Sequence, residues 1–160
     1  MADWGMADWA LWIEMSAMGR AARGVIWLYP AANVLHVLGA GLLFGAIAAF
    51  DIAVLRHGPA AVAGVAGSGS RPGGGIAAST LPLALAGAGL ALLSGAVLFA
   101  ADAVALAGNG MLWAKTVALV LAAGNALAWH MRPPGSRRQA AASLALWIAV
   151  LTTGRLIAYV

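Results

Sequence analysis

An imidazole, an ammonium and a carboxyl group lie within stretches that are otherwise almost entirely apolar. His36 and Asp51 belong to WLYPAANVLHVLGAGLLFGAIAAFDIAVLR, and Lys115 belongs to GMLWAKTVALVLAAGNALAWH. A polar side chain in hydrocarbon is costly unless a partner satisfies it, so an ionisable residue there indicates a functional site. The chemistry open to His36 is ligation of a metal or haem, relay of a proton, or a plain hydrogen bond to a neighbouring helix.

We favour His36 as a haem or metal ligand. Haem b sites in the bilayer take histidine ligands from transmembrane helices, and this sequence has no carboxylate cluster to hold a hard cation instead. Small residues accompany the histidine on its own helix and on the next one: Gly39, Ala40, Gly41, Gly45, Gly87, Gly89, Ser94 and Gly95. Such residues favour close helix packing, and they would also leave a slot wide enough for a flat macrocycle. Both interpretations stay open.

Depth in the membrane selects the residues that could share a site with His36. At about 1.5 Å per residue, His36 lies roughly 14 Å below the outer face and Lys115 roughly 6 Å below it. His130 lies near the inner face, and a depth difference of roughly 15 Å prevents both histidines from binding one iron. We therefore expect Lys115 to be the second axial ligand, or to hold the haem propionates together with Arg155. His130 then contacts a second haem near the inner face, or lipid headgroups.

Composition identifies the class of protein. Hydrophobic residues make up 63% of the 160 residues, charged residues make up 9%, and the mean hydropathy is +0.92. Such a chain is too apolar for an ordinary soluble domain and indicates an integral membrane protein. The net charge of +4 comes mostly from arginines at the edges of apolar runs, which suits lipid headgroups and gives no reason to infer nucleic-acid binding. Cysteine is absent, so redox chemistry requires a bound cofactor.

The apolar residues form runs long enough to cross a bilayer, which takes roughly 20 helical residues. The turns GNG and RPPGSRR are short, and the remaining connection contains GSGSRPGGG, which we interpret as a mobile linker and not as a phosphate-binding loop. The sequence therefore predicts an all-α domain over residues 25–160, an up-down bundle of transmembrane helices. The four runs are 27–55, 81–106, 111–131 and 140–160.

Residues 1–24 form a separate segment. Trp4, Trp9, Trp12 and Ile13 stand among charged residues in a stretch too short to span a membrane, and the stretch lacks the basic start and cleavage site of a signal peptide. We predict an amphipathic helix that lies in the membrane interface. A solvated leader is the alternative.

The arginines near the ends of the spans predict the orientation. One side of the membrane carries more of them than the other: Arg56, Arg71, Arg132, Arg137 and Arg138 against Arg20 and Arg23. By the positive-inside rule the richer side is cytoplasmic, which predicts a bacterial inner-membrane protein with both termini in the periplasm. Asp51 then lies in the inner half, where we expect an ion pair with Arg56 or a role at the helix end.

The motifs resemble known membrane families. WLYP and VLHVLGAGLLFGAIAAFDIAVL, then LLSGAVLFAADA, GMLWAKTVALVLAAGNALAWH and LALWIAVLTTGRLIAYV, are similar to an uncharacterised family of bacterial four-helix membrane proteins over nearly everything after Trp27. The first-span histidine, with WAK opening the third span and a histidine closing it, also resembles the HemJ-type protoporphyrinogen oxidases and, more loosely, the CopD-type copper-resistance domains. In the HemJ type this histidine and this lysine are tied to haem b binding and activity, which implies those roles for His36 and Lys115.

These features predict a haem-b-binding membrane protein that transfers electrons between the quinone pool and a membrane or periplasmic redox partner. The resemblance adds HemJ-like oxidation as an expectation, and a homo-oligomer is a further one. Two other functions stay open. The first is a structural anchor subunit of a membrane complex. The second is an ion or copper transporter or channel subunit, whose path would be lined by ionisable and soft side chains: His36, Asp51, Lys115, Met6, Met15 and Met18.

Overall fold

The described part of the chain is helical throughout. The computed structural model describes residues 6–62, 75–131 and 135–159, and no β-strand occurs in these ranges. In chain order the helices are α1 (Met6–Glu14), α2 (Ala17–Gly24), α3 (Leu28–His57), α4 (Pro59–Val62), α5 (Ile76–Ala101), α6 (Ala103–Ala107), α7 (Gly110–Met131) and α8 (Arg137–Leu156), followed by a 3-10 turn at Ile157–Tyr159. The all-α class predicted from the sequence is therefore confirmed for this part of the chain.

Four of the helices are long and apolar enough to cross a membrane: α3, α5, α7 and the segment Arg137–Tyr159. Their outward faces carry large apolar side chains, among them Leu92, Leu93 and Val120, which are 65%, 75% and 65% exposed. A helix that is apolar on every side requires an apolar surrounding such as lipid. The four helices therefore indicate a multi-pass membrane protein, as the composition predicted.

The boundaries of the second span differ from the prediction. The helix begins at Ile76, because the Ser79 and Thr80 hydroxyls each donate to the Ile76 carbonyl at 2.9 Å and so fit within its first turn. It ends at Ala101, because Asp102 adopts a non-helical φ of −147° and ψ of 48°. The helix therefore begins and ends earlier in the sequence than the predicted range 81–106, because it includes polar residues at its start and is interrupted at Asp102.

The other spans lie close to their predicted ranges. α3 continues to His57 and stops at Gly58, which has a φ of +87°. α8 begins at Arg137, since the Ser136 side chain accepts a hydrogen bond from the Gln139 amide at 3.1 Å and caps the helix. The central part of the predicted mobile loop, residues 63–74, lies outside the described residues, as do residues 132–134 of the turn RPPGSRR and residues 1–5 of the leader.

α3 is the central helix of the packing, because it contacts both α5 and α8, and α8 in turn contacts α7. Against α5 the backbones meet at glycines: a Cβ built on Gly39 would lie 2.9 Å from the Gly87 carbonyl oxygen. Against α8 the contact runs through two apolar clusters. Val54 and Ala140 belong to one cluster, and Trp147 belongs to the other.

The N-terminal segment forms two short helices within residues 6–24. The first ends at Glu14, and Ser16 caps the second by accepting from the Gly19 amide at 3.2 Å. Both helices pack at the α5–α6 junction. Arg23 donates to the Ala101 carbonyl, and a Glu14 carboxylate oxygen accepts from the Val104 amide, each at 3.0 Å. These contacts satisfy helix-end groups that would otherwise have no intrahelical partner.

Candidate functional site

His36 lies in the third turn of α3 and is held against α5. Its Nδ1 atom is 2.8 Å from the Ala91 carbonyl oxygen and 3.4 Å from the Ser94 hydroxyl. A carbonyl oxygen only accepts hydrogen bonds, so we assign the proton to Nδ1. Nε2 is then unprotonated, and its lone pair is available to a ligand. This is the arrangement that metal-binding histidines adopt when a backbone carbonyl orients the ring.

Small residues of α5 make room for the ring. A Cβ built on Gly95 would lie 3.0 Å from Cε1 and 3.2 Å from Nδ1 of His36. The buried Ser94 hydroxyl donates to the Leu90 carbonyl at 2.5 Å and so remains within its own helix. The glycine at position 95 therefore leaves the imidazole room to reach the Ala91 carbonyl without a shift of the ring.

The other glycines of the sequence pattern fall into two groups. Gly39 and Gly87 serve helix packing, because a Cβ on either would lie less than 3.0 Å from backbone atoms of the other helix. Gly41, Gly45 and Gly89 face open space within the described part, with nothing within 4 Å of an added Cβ. Helix packing therefore explains the first group, and the slot for a macrocycle stays a prediction.

Lys115 lies in the second turn of α7, half-buried against α8. A Cβ built on Gly154 of α8 would lie 3.3 Å from the Lys115 Nζ atom, so the stem and ammonium run along the glycine. The ammonium is close enough to His36 for the two side chains to interact electrostatically. Among the described residues no carboxylate forms an ion pair with Lys115. The structure therefore leaves Lys115 as a cationic group within electrostatic range of His36.

Arg155 and His130 lie at helix ends with partners of their own. The Arg155 guanidinium donates to the Tyr159 hydroxyl at 3.0 Å and lies 5.3 Å from the centre of that ring. His130 is exposed, and its Nδ1 atom is 2.8 Å from the Ala126 carbonyl of the same helix. The structure does not bring either side chain into contact with His36 in the part that it describes.

Asp51 has a different environment from the one predicted. It is 3% exposed, and its polar neighbour is the Ser143 hydroxyl of α8. No ion pair joins it to the exposed Arg56 within the described ranges. The reason is the helix register, because position 51 falls on the buried face that α3 shares with α8. In the sequence, Ser143 and Trp147 stand one helical turn apart and so mark a face of α8 that carries polar atoms. Their spacing does not indicate that this face meets Asp51 of α3.

A metal centre of several side chains is not found among residues 6–62, 75–131 and 135–159, where no three His, Asp or Glu side chains gather. A haem needs fewer protein ligands than such a metal centre, since one imidazole suffices as an axial ligand. Comparison of the chain with family models, curated proteins and solved structures finds no match. The resemblance to HemJ-type and CopD-type proteins therefore rests on the quoted motifs alone.

We predict that Gly95→Ala disturbs His36, because the new methyl group would stand 3.0 Å from the ring and the ring must yield by a few tenths of an ångström. Nitrogen NMR of the haem-free protein measures this directly, since the chain has only three histidines. The wild type should show a protonated Nδ1 and a bare Nε2 on His36. In Gly95→Ala the Nδ1 signal should move toward that of a freely exchanging tautomer mixture. Gly89→Ala, on the same helix with open space around it, is the matched control and should leave the signals unchanged.

Proposed function

We propose that this chain is a haem-b-binding membrane protein that transfers electrons, with His36 as an axial ligand of the haem iron. The observation that carries the proposal is the 2.8 Å contact between His36 Nδ1 and the Ala91 carbonyl oxygen. This bond leaves Nε2 as a fixed lone-pair donor on a ring that cannot turn freely. This arrangement supports ligand binding through Nε2.

Lys115 supplies the second feature of the proposed site. A haem b carries two propionate groups, and an ammonium with no carboxylate partner in the described part favours an anionic group beside His36. Lys115 would hold the haem either through its amine on the iron or through an ion pair with a propionate. Arg155 is the second propionate candidate, and it would have to leave Tyr159 to act in this way. His130 would contact only a second haem near the inner face.

The chain's own residues orient and enclose the proposed cofactor. Ala91 and Gly95 hold the imidazole, Lys115 neutralises negative charge, and the apolar helices exclude water. The haem supplies reversible one-electron chemistry when bound. The electron donor or acceptor is then a lipid-soluble quinone or a membrane or periplasmic redox protein. HemJ-like oxidation is the narrower form of the proposal, and it is supported only by the motif resemblance.

We propose further that α3, α5, α7 and α8 cross the bacterial inner membrane as an up-down bundle. Contacts between consecutive helices support this arrangement: His36 meets Ser94 and Leu43 meets Gly87, so α3 and α5 run antiparallel. Both termini would face the periplasm, and the leader would lie at the periplasmic surface of the inner membrane.

The test of the cofactor is a reduced-minus-oxidised absorption spectrum of the detergent-purified chain, recorded as isolated and after haem supplementation. We expect the narrow alpha band of a b-type haem. A protein that stays colourless after supplementation contradicts the proposal and favours a transporter subunit. His36, Lys115 and Asp51 do not form a single site that would support the transporter alternative, because Asp51 lies roughly 22 Å farther along α3 than His36.

The topology gives a separate prediction. A tag inserted beside Ser68 should be inaccessible to a membrane-impermeant label in intact cells, whereas a tag at either terminus should be labelled, because the arginine-rich side is cytoplasmic. Cells with a permeabilised inner membrane are the control, in which all three tags should react. Labelling of the Ser68 tag alone in intact cells would reverse the orientation and move His36 to the cytoplasmic half.

A further inference from the structure

A polar layer between α3 and α8 separates two apolar clusters. Val54 and Ala140 pack together in one cluster, and Ile47 packs with Trp147 in the other. Asp51 lies between Ile47 and Val54 in the sequence of α3, so its carboxyl group is positioned between the clusters. Within the described part it is the only buried acidic residue, with 3% of its surface exposed.

Two buried polar atoms, one on α3 and one on α8, have no hydrogen-bond partner among the described residues. They are Asp51 Oδ2 and Trp147 Nε1, and the two residues are 3% and 6% exposed. Ser143, itself 6% exposed, satisfies part of the carboxyl group. An unsatisfied buried polar group is costly, so a partner for both atoms would be strongly favoured.

The register of α8 relates the indole to the carboxyl group through Ser143. Trp147 follows Ser143 by one helical turn on the same face. A long helical side chain leans toward the N-terminus of its helix, so the Trp147 indole extends back over the turn of Ser143, which interacts with Asp51. Nε1–H is a donor and Oδ2 has free acceptor capacity. Water, which both accepts and donates, complements this pair.

No cation compensates the carboxyl group in the part of the chain that the structure describes. The charged and titratable groups at the nearby ends of α3, α7 and α8 are all exposed, and none of them forms an ion pair with Asp51: Arg56, His57, His130, Arg137 and Arg138. α4 and α5 contain no charged residue. An ionised carboxylate without a counter-charge inside a membrane is far more costly than a neutral carboxylic acid.

We propose that Asp51, Ser143 and Trp147 form a proton-binding site, in which Asp51 is a neutral acid and one water molecule joins its Oδ2 atom to Trp147 Nε1. The acid proton lies on the other carboxyl oxygen, which donates to the Ser143 hydroxyl, while the indole donates to the water and the water donates to Oδ2. The ligands of the site are therefore a proton and water. The site is independent of the proposed haem site, from which it lies roughly 22 Å away along α3.

Infrared spectroscopy of the full chain in lipid vesicles at neutral pH tests the protonation. The wild type should show the carbonyl band of a protonated carboxylic acid, and the band should shift in heavy water and vanish in Asp51→Asn. Asp102→Asn is the matched control, because Asp102 is exposed and its loss should leave the band in place. A wild-type protein without such a band overturns the proposal. A b-type haem spectrum should be unaffected by Asp51→Asn, so the two proposals fail separately.

The bound water is tested through Trp147. In Trp147→Phe the carbonyl band should move to higher frequency, because the carboxyl group loses a hydrogen-bonded neighbour and the band rises as hydrogen bonding weakens. An unchanged band in a folded Trp147→Phe protein contradicts the water bridge. NMR of the wild type provides the same test without a substitution, since the Trp147 indole proton should show a cross-peak with a long-lived water. Absence of this cross-peak also contradicts the bridge.

Discussion

The His36→Ala protein, purified in detergent and supplied with haem b, is expected to lose the b-type spectrum or to retain only a high-spin form. The substitution removes the axial imidazole and leaves an open coordination position, which the apolar neighbours Leu35 and Val37 cannot fill. Loss of a group that merely orients a metal ligand lowers affinity about 10- to 100-fold, so loss of the ligand itself should lower haem affinity at least tenfold. The measurement is haem content per chain together with the reduced-minus-oxidised spectrum.

His130→Ala is the matched control for this experiment. It removes another imidazole from the same protein, but one that is exposed and bonded only to the Ala126 carbonyl of its own helix. The spectrum should therefore remain that of the wild type. If His36→Ala also kept a wild-type spectrum, His36 would be a hydrogen-bonded histidine between packed helices and the haem assignment would be wrong.

Lys115→Ala distinguishes the two roles proposed for the lysine. Loss of an axial amine changes the spin state of the iron, which is visible in the absorption spectrum. Loss of a propionate partner instead lowers haem occupancy and shifts the reduction potential, because a negative charge is then left unpaired in a low-dielectric site. A spectrum, occupancy and potential all equal to those of the wild type would remove Lys115 from the site.

The spans could be predicted from the sequence because the bilayer imposes a length and an apolar composition on each of them. The third span shows this well: the predicted range 111–131 and the helix Gly110–Met131 differ by one residue. The placement of His36 and Lys115 in the same half of the membrane also follows from counting residues along the helices, and it stays a prediction. Depth along a helix is a one-dimensional quantity, and it does not depend on how the helix is rotated.

Rotation and long-range contacts could not be predicted. The sequence places Asp51 beside Arg56, five residues along the same helix, but rotation of α3 turns its carboxyl group to Ser143 of α8. The end of α5 at Ala101 depends on Arg23 and Glu14, which are far away in the sequence and satisfy the backbone on either side of Asp102. Such pairings depend on which faces meet after folding, and a pattern local to one helix contains no information about its neighbour.

Gly87→Ala is expected to destabilise the protein, although it replaces only a single hydrogen by a methyl group. Its Cβ would lie 2.5 Å from the Leu43 amide nitrogen and 2.8 Å from the Gly39 carbonyl oxygen. These are backbone atoms that cannot turn aside, so α3 and α5 must separate along their contact. Overpacking of this kind costs about 1–3 kcal/mol and sometimes more. The measurement is the midpoint of unfolding of the detergent-solubilised protein in a denaturing detergent.

Gly89→Ala provides the control on the same helix, because nothing lies within 4 Å of its Cβ. Replacing glycine by alanine in a helix interior gains up to about 1 kcal/mol of helix propensity, so this variant should unfold at the wild-type midpoint or above it. Equal midpoints for Gly87→Ala and Gly89→Ala would contradict the close approach of α3 and α5. That approach also holds the Ala91 carbonyl within reach of His36. Gly87→Ala should therefore lower haem occupancy without touching the imidazole, which connects the packing of this interface directly to the proposed site.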